Sequence, residues 1–163
     1  MIKKFNLSIV TLFNIGKIKF APGTLASLFT CLFFLLLINI IEISILFLFL
    51  FTLLLFFYSL VAINNTFEFF TSKDSSEIVI DEVIGQMLPL LAIPIYQNLY
   101  LAPNEYYCLA AFLLFRIFDI WKPFPISYVD KNVEGPLGIM LDDILAGICV
   151  IIILIFTFYF LGA

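Results

Sequence analysis

Long apolar runs alternate with short polar pieces along this chain, and their lengths predict helices. From Leu25 to Ile63 the residues are apolar almost throughout, interrupted only around Asn39, Glu42 and Ser44. That stretch is too long for one membrane crossing of about 20 residues and predicts a helical hairpin. Three more apolar segments follow: Val83 to Tyr96, Tyr107 to Ile120 and Ile144 to Leu161. The first two of these are short, since fourteen residues rise only about 21 Å against a hydrocarbon core of about 30 Å. Pro89 and Pro94 predict a kink in the earlier one. Ahead of these segments, a modest apolar face from Leu7 to Phe13 lies between Lys3-Lys4 and Lys17-Lys19. That is the pattern of a short interfacial helix, and without an A-x-A cleavage site it is not expected to be a signal peptide.

The expected fold is therefore all-α: a polytopic membrane helical bundle of about five hydrophobic helices plus a short N-terminal interfacial helix, forming one domain over residues 1–163. Composition agrees, with 64% hydrophobic and 12% charged residues where a soluble chain carries about 25% charged. A net charge of −4 with eight Lys and Arg leaves no basic face for nucleic acid. No histidine is present, which excludes a histidine base, Ser-His-Asp chemistry and His-ligated metals. Catalysis would have to run on carboxylates. Cys31, Cys108 and Cys149 sit in apolar stretches and read as small buried hydrophobes.

With the amino terminus inside, Lys3, Lys4, Lys17, Lys19, Lys73, Arg116, Lys122 and Lys131 all fall on or beside the cytoplasmic side, as the positive-inside asymmetry requires. An odd number of spans fits these charges. Of twelve acids only Glu42 and Glu105 fall in the outside loops; Glu68, Asp74, Glu77, Asp81, Glu82, Asp119, Asp130, Glu134, Asp142 and Asp143 gather at the inner face. Their mutual repulsion points to a cation.

Two acidic doublets open apolar segments, Asp81-Glu82 the third and Asp142-Asp143 the fifth. Acids at a helix start can simply cap free N–H groups, but capping needs one acid, and two doublets at equivalent depth point to metal. Mg²⁺ suits them, because it takes oxygen ligands from one or two carboxylates plus a substrate phosphate. Neighbours on a helix diverge by about 100°, so one acid from each doublet is expected on the ion, with its partner on a second ion or in the outer shell. Arg116 and Asp119 share a helix face, with Lys122 just beyond. They read as a self-neutralising pair or as functional groups at membrane depth. Lys122-Pro123-Phe124-Pro125-Ile126 predicts a stiff extended exit that fixes Lys122. Pro22-Gly23-Thr24 before the first span and Gly135 to Gly138 before the fifth read as turns or as anion-binding helix starts, where Thr24 and Ser27 could bond a phosphate.

The ordered set Pro22-Gly23-Thr24, Asp81-Glu82-x-x-Gly85, Phe115-Arg116-x-Phe118-Asp119-x-x-Lys122-Pro123-x-Pro125-Ile126 and Gly138-Ile139-Met140-x-Asp142-Asp143-x-x-Ala146-Gly147 resembles the phosphatidylglycerophosphatase A family. The resemblance runs from about Ala21 to Gly147, with Ala26 where relatives often carry glycine. It implies a Mg²⁺-dependent phosphomonoesterase that converts phosphatidylglycerophosphate to phosphatidylglycerol and inorganic phosphate at the cytoplasmic face of a bacterial inner membrane. Asp81, Glu82, Asp142 and Asp143 would hold the metal, and Thr24, Ser27, Arg116 and Lys122 the phosphate. Asp119 or Glu82 would orient the water. The alternative is a carboxylate-based cation or proton transporter, which predicts acids near the bilayer midplane and internal repeats. A CDP-alcohol phosphotransferase is disfavoured because its Asp-Gly-x-x-Ala-Arg pattern is missing.

Overall fold

The computed structural model describes residues 2–70, 75–99 and 103–161; Lys73 and Asp74 lie outside that range. The described residues form α1 (Ile2–Val10), α2 (Pro22–Asn39), α3 (Ile45–Asn64), α4 (Ile80–Leu90), α5 (Ile93–Leu99), α6 (Asn104–Trp121), α7 (Ile126–Asn132) and α8 (Gly135–Leu161), with no strand among them.

The hairpin is α2 and α3, divided near Asn39 to Ser44 as the polar interruption requires; Ser44 caps α3 by accepting the N–H of Phe47. Among the described residues, three helices are long and apolar enough to cross a membrane: α2, α3 and α8 as far as Thr157. Outward-facing residues such as Leu32, Leu54, Phe57 and Phe156 are exposed, the arrangement lipid favours and water does not.

The remaining two apolar segments depart from simple spans. The segment from Val83 divides into α4 and α5. Pro94 has no N–H to continue the ladder and its ring crowds the carbonyl one turn earlier. Tyr107 Oη donates to the carbonyl of Pro89 at 2.8 Å, tying α6 to the end of α4. The helix α6 has 18 residues but carries Glu105, Arg116 and Asp119, so its length suits a crossing and its charges do not.

The helix α8 starts nine positions before Ile144, where the apolar run begins. At about 1.5 Å per residue its 27 residues extend about 40 Å. Gly135 to Gly138 form its first turn rather than a preceding loop, and Asp142-Asp143 stand about two turns inside it. Between α6 and α8 the expected extended exit is replaced after Pro125 by the short helix α7.

Inside the bundle, α4 is the most enclosed element: Ile80, Val83, Ile84, Met87 and Leu90 are buried. It crosses α8 at two glycines. A Cβ on Gly147 would lie 2.4 Å from the carbonyl oxygen of Gly85, and one on Gly85 would lie 2.7 Å from that of Asp143. Backbone meets backbone there, which draws the acids of the two helices together. Cys31 and Cys108 are buried as expected, and Cys149 is half-buried.

At the end where α2, α4 and α8 begin, α1 packs against α3: Tyr58 Oη donates to Asn6 Oδ1 at 2.7 Å, and Lys3 pairs with Glu68 at 2.8 Å. Ile2, Phe5 and Phe13 remain exposed, consistent with an interfacial helix. All Lys and Arg among the described residues lie on segments at this end.

Candidate active site

The carboxylates converge at that same end of the bundle. Asp81 and Glu82 occupy the first turn of α4, but its N-cap is Val79 and no side chain caps it. Asp142 and Asp143 are too far into α8 to cap anything. Helix capping therefore does not account for the doublets.

One carboxylate oxygen from each of Asp81, Glu82 and Asp143 lies within 4.8 Å of the others. Both acids of the α4 doublet take part, whereas the α8 doublet splits as the 100° rotation predicts. Glu82 is one methylene longer than Asp81 and lies against α2, where a Cβ on Gly23 would come 2.0 Å from its Oε1. Only glycine at position 23 leaves it that room. Burial, then the neighbouring Glu82 and Asp143 charges, push the Asp81 carboxyl well above its ordinary pKa. Burial likewise raises Glu82, with Asp119 adding to the rise while Asp81 and Arg116 oppose it.

Asp81 Oδ1, Glu82 Oε2 and Asp142 Oδ1 are buried without a hydrogen-bond partner. Such orphans are costly unless a ligand completes them. The carboxylate oxygens of Asp81, Glu82 and Asp143 are hard donors close enough together to fit one divalent cation, provided side-chain rotation draws them toward the spacing of about 3 Å between adjacent ligands of an octahedral Mg²⁺.

Asp142 faces another partner. Its Oδ2 accepts a hydrogen bond from Lys122 Nζ at 2.6 Å, and the same ammonium pairs with Asp130 of α7. Burial alone would lower the Lys122 pKa, but these two carboxylates outweigh it and hold the value above the ordinary one. Lys122 ends α6 in the left-handed region, at φ 45°.

Arg116 and Asp119 do pair, at 2.5 Å with both side chains mostly buried, and after burial itself the Asp119 charge is the largest influence on the Asp143 carboxyl. Arg116 Nη1 donates to Ser27 Oγ at 3.3 Å, while the Ser27 hydroxyl donates to the Gly23 carbonyl at 2.9 Å. The pair thus ties α6 to both α2 and the carboxylate group.

A cavity of about 460 Å³ opens over these residues. Its walls include Asp81, Glu82, Asp119, Lys122, Asp142 and Asp143, together with Ser75, Ser76, Asp130 and Glu134. Arg116, Ser27 and Thr24 do not line it. Ser27 is fully buried behind the carboxylates, and Thr24 is half-buried in the first turn of α2. Asp130, in the sequence only one of the acids of the inner face, reaches Lys122 from α7. Gln86, inconspicuous in the sequence, is fully buried with neither amide atom hydrogen-bonded. The spacing from Glu82 was the available signal, since residues four apart share a helix face.

The sequence profile of the phosphatidylglycerophosphatase A family matches residues 8–158. A protein of Haemophilus influenzae named phosphatidylglycerophosphatase A is 38% identical over 141 residues, covering 86% of this chain and 81% of its own length. The Escherichia coli protein of the same name is 46% identical over 76 residues, 46% of this chain and 40% of its own. A Bacteroides thetaiotaomicron protein whose name describes it provisionally as a phosphatidylinositol-3-phosphatase is 38% identical over 145 residues, 83% of this chain and 82% of its own. No solved structure matches the chain. Matched along most of its length and carrying its carboxylates around one cavity at the end of a membrane bundle, the chain belongs to the phosphatidylglycerophosphatase A family of phosphoric monoester hydrolases.

Proposed function

We propose that this chain is a Mg²⁺-dependent phosphatidylglycerophosphatase, hydrolysing the terminal phosphate of phosphatidylglycerophosphate to phosphatidylglycerol and inorganic phosphate. The observation that carries this reading is the convergence of Asp81, Glu82 and Asp143 on one cavity, with a buried oxygen on Asp81 and another on Glu82 that no protein group satisfies. The basic residues at the same end support a site on the cytoplasmic side of a bacterial inner membrane. There a lipid phosphate enters at the headgroup layer while its acyl chains stay in hydrocarbon.

Asp81, Glu82 and Asp143 would hold the cation, which when bound supplies Lewis acidity to the phosphate and lowers the pKa of an attacking water. Lys122 points its ammonium into the cavity and complements charge on the phosphoryl oxygens as hydrolysis proceeds. Asp119, beside Asp143, is the carboxylate placed to orient the water and take its proton. Arg116 acts from behind, fixing Asp119 through their ion pair and Ser27 through its hydroxyl. Asp142 serves Lys122 rather than the three-carboxylate group. Thr24, outside the cavity wall, contributes through the first turn of α2.

The test is phosphate release from a panel of lipid phosphomonoesters, with Mg²⁺ or with chelator. Chelator is expected to abolish release, and phosphatidylglycerophosphate is expected to be hydrolysed faster than phosphatidate or lysophosphatidate. Phosphatidylinositol 3-phosphate belongs in the panel because of the Bacteroides relative's name; if it is preferred, the substrate assignment falls. Ion flux across the same vesicles without phosphate release would favour the transporter instead.

A further inference from the structure

We propose that Asp130 is a positioning residue for phosphate binding: together with Asp142 it holds the Lys122 ammonium at the rim of the cavity. The inference rests on the phosphatase reading and assigns a residue to that site.

Lys122, Asp130 and Asp142 come from three different pieces of chain, the end of α6, α7 and the third turn of α8, and all three line the cavity. The ammonium touches both carboxylates, Asp142 Oδ2 at 2.6 Å on α8 and Asp130 Oδ1 on α7. A lysine ammonium has three N–H groups. Two are committed to protein, which leaves one for a ligand. Its flexible four-carbon stem would otherwise wander. With Asp142 alone it would swing toward α8, where Asp81, Glu82 and Asp143 already attract any cation.

Asp130 prevents that. It draws the ammonium away from the carboxylate group, so that the divalent cation and the lysine occupy separate places, with room for a phosphate between them. Asp130 is about one-third exposed, and an ion pair that open to water adds little to stability. Its use is geometric.

The test compares wild type, Asp130→Asn and Asp130→Glu, each full-length in nanodiscs. Lys122 is followed by an amine-acetylating reagent with mass spectrometry, with and without inorganic phosphate as the probe. Freed of Asp130, Lys122 in Asp130→Asn is expected to acetylate several-fold faster, and phosphate is expected to protect it less. In turnover, KM for the lipid phosphomonoester should rise about tenfold while kcat falls less, the scale of losing a supporting contact. Asp130→Glu should restore both.

Unchanged labelling of Lys122 in Asp130→Asn would overturn the proposal, as would a fall in kcat with unchanged KM. If Asp130→Asn does not yield folded protein, Asp130→Ser carries the same readouts. The labelling needs no turnover, so a wild type without phosphatase activity would refute the functional reading while the lysine measurement still decided the role of Asp130.

Discussion

Polar side chains gather at both ends of the bundle. At the end carrying Asn39, the side chains satisfy one another: Gln97 Nε2 donates to Asn104 Oδ1 at 3.0 Å, Asn104 Nδ2 to Asn39 Oδ1 at 2.8 Å, and Asn39 Nδ2 to Glu105 Oε1 at 3.2 Å. Asn39, Gln97 and Glu105 are exposed and Asn104 is half-buried, so water completes whatever the chain does not. At the carboxylate end, Asp81, Glu82 and Asp142 each keep a buried oxygen without a partner, and Arg116 keeps its Nε. The first cluster fastens α2, α5 and α6. The second holds its polar atoms in an environment that makes them costly until something binds.

The sharpest way to break that contrast is Asp143→Asn, which keeps the shape of the side chain but removes a charge from the three-carboxylate group. Phosphate release should fall by about 10³-fold, with expression and extraction from the membrane unchanged. Activity within a few-fold of wild type would remove Asp143 from the site. Gly23→Ala comes next. The added methyl must displace Glu82 Oε1, so turnover should fall about 10–100-fold and the Mg²⁺ concentration for half-activation should rise.

Gln86→Met sharpens the comparison through stability. Replacing two unsatisfied buried amide atoms with an apolar side chain of similar size should raise stability by about 1–2 kcal/mol, read as a higher Tm in detergent. A lower Tm would mean that the amide is satisfied in the folded protein. The smallest effect belongs to the opposite end: Asn39→Ala should cost no more than about 1 kcal/mol, with turnover unaltered.

The apolar runs made the helices legible, and a doublet of acids at the edge of such a run made Asp81-Glu82 conspicuous. The break between α4 and α5 was visible in Pro89 and Pro94, because proline acts through its own ring and missing N–H. The start of α8 was not visible. Gly135, Pro136 and Gly138 are residues that end helices as often as they begin them, and what extends α8 past them is packing against α4, α6 and α7. The split of Asp142 from Asp143 was half-visible: helix geometry separates them, but only the fold supplies Lys122 to one and Asp81 to the other. Asp130 and Gln86 stayed hidden for a related reason. Neither belongs to a cluster in sequence, and each matters for what surrounds it in space.

The unbroken length of α8 has a mechanical consequence. Its final 18 residues, Ile144 to Leu161, carry no charge and are sufficient to traverse the hydrocarbon, and the same continuous rod bears Asp142 and Asp143 immediately before them. A helix that matches bilayer thickness by leaning carries everything fixed to it. The depth of these acids is therefore geared to the bilayer itself, and acyl-chain length becomes a dial on it.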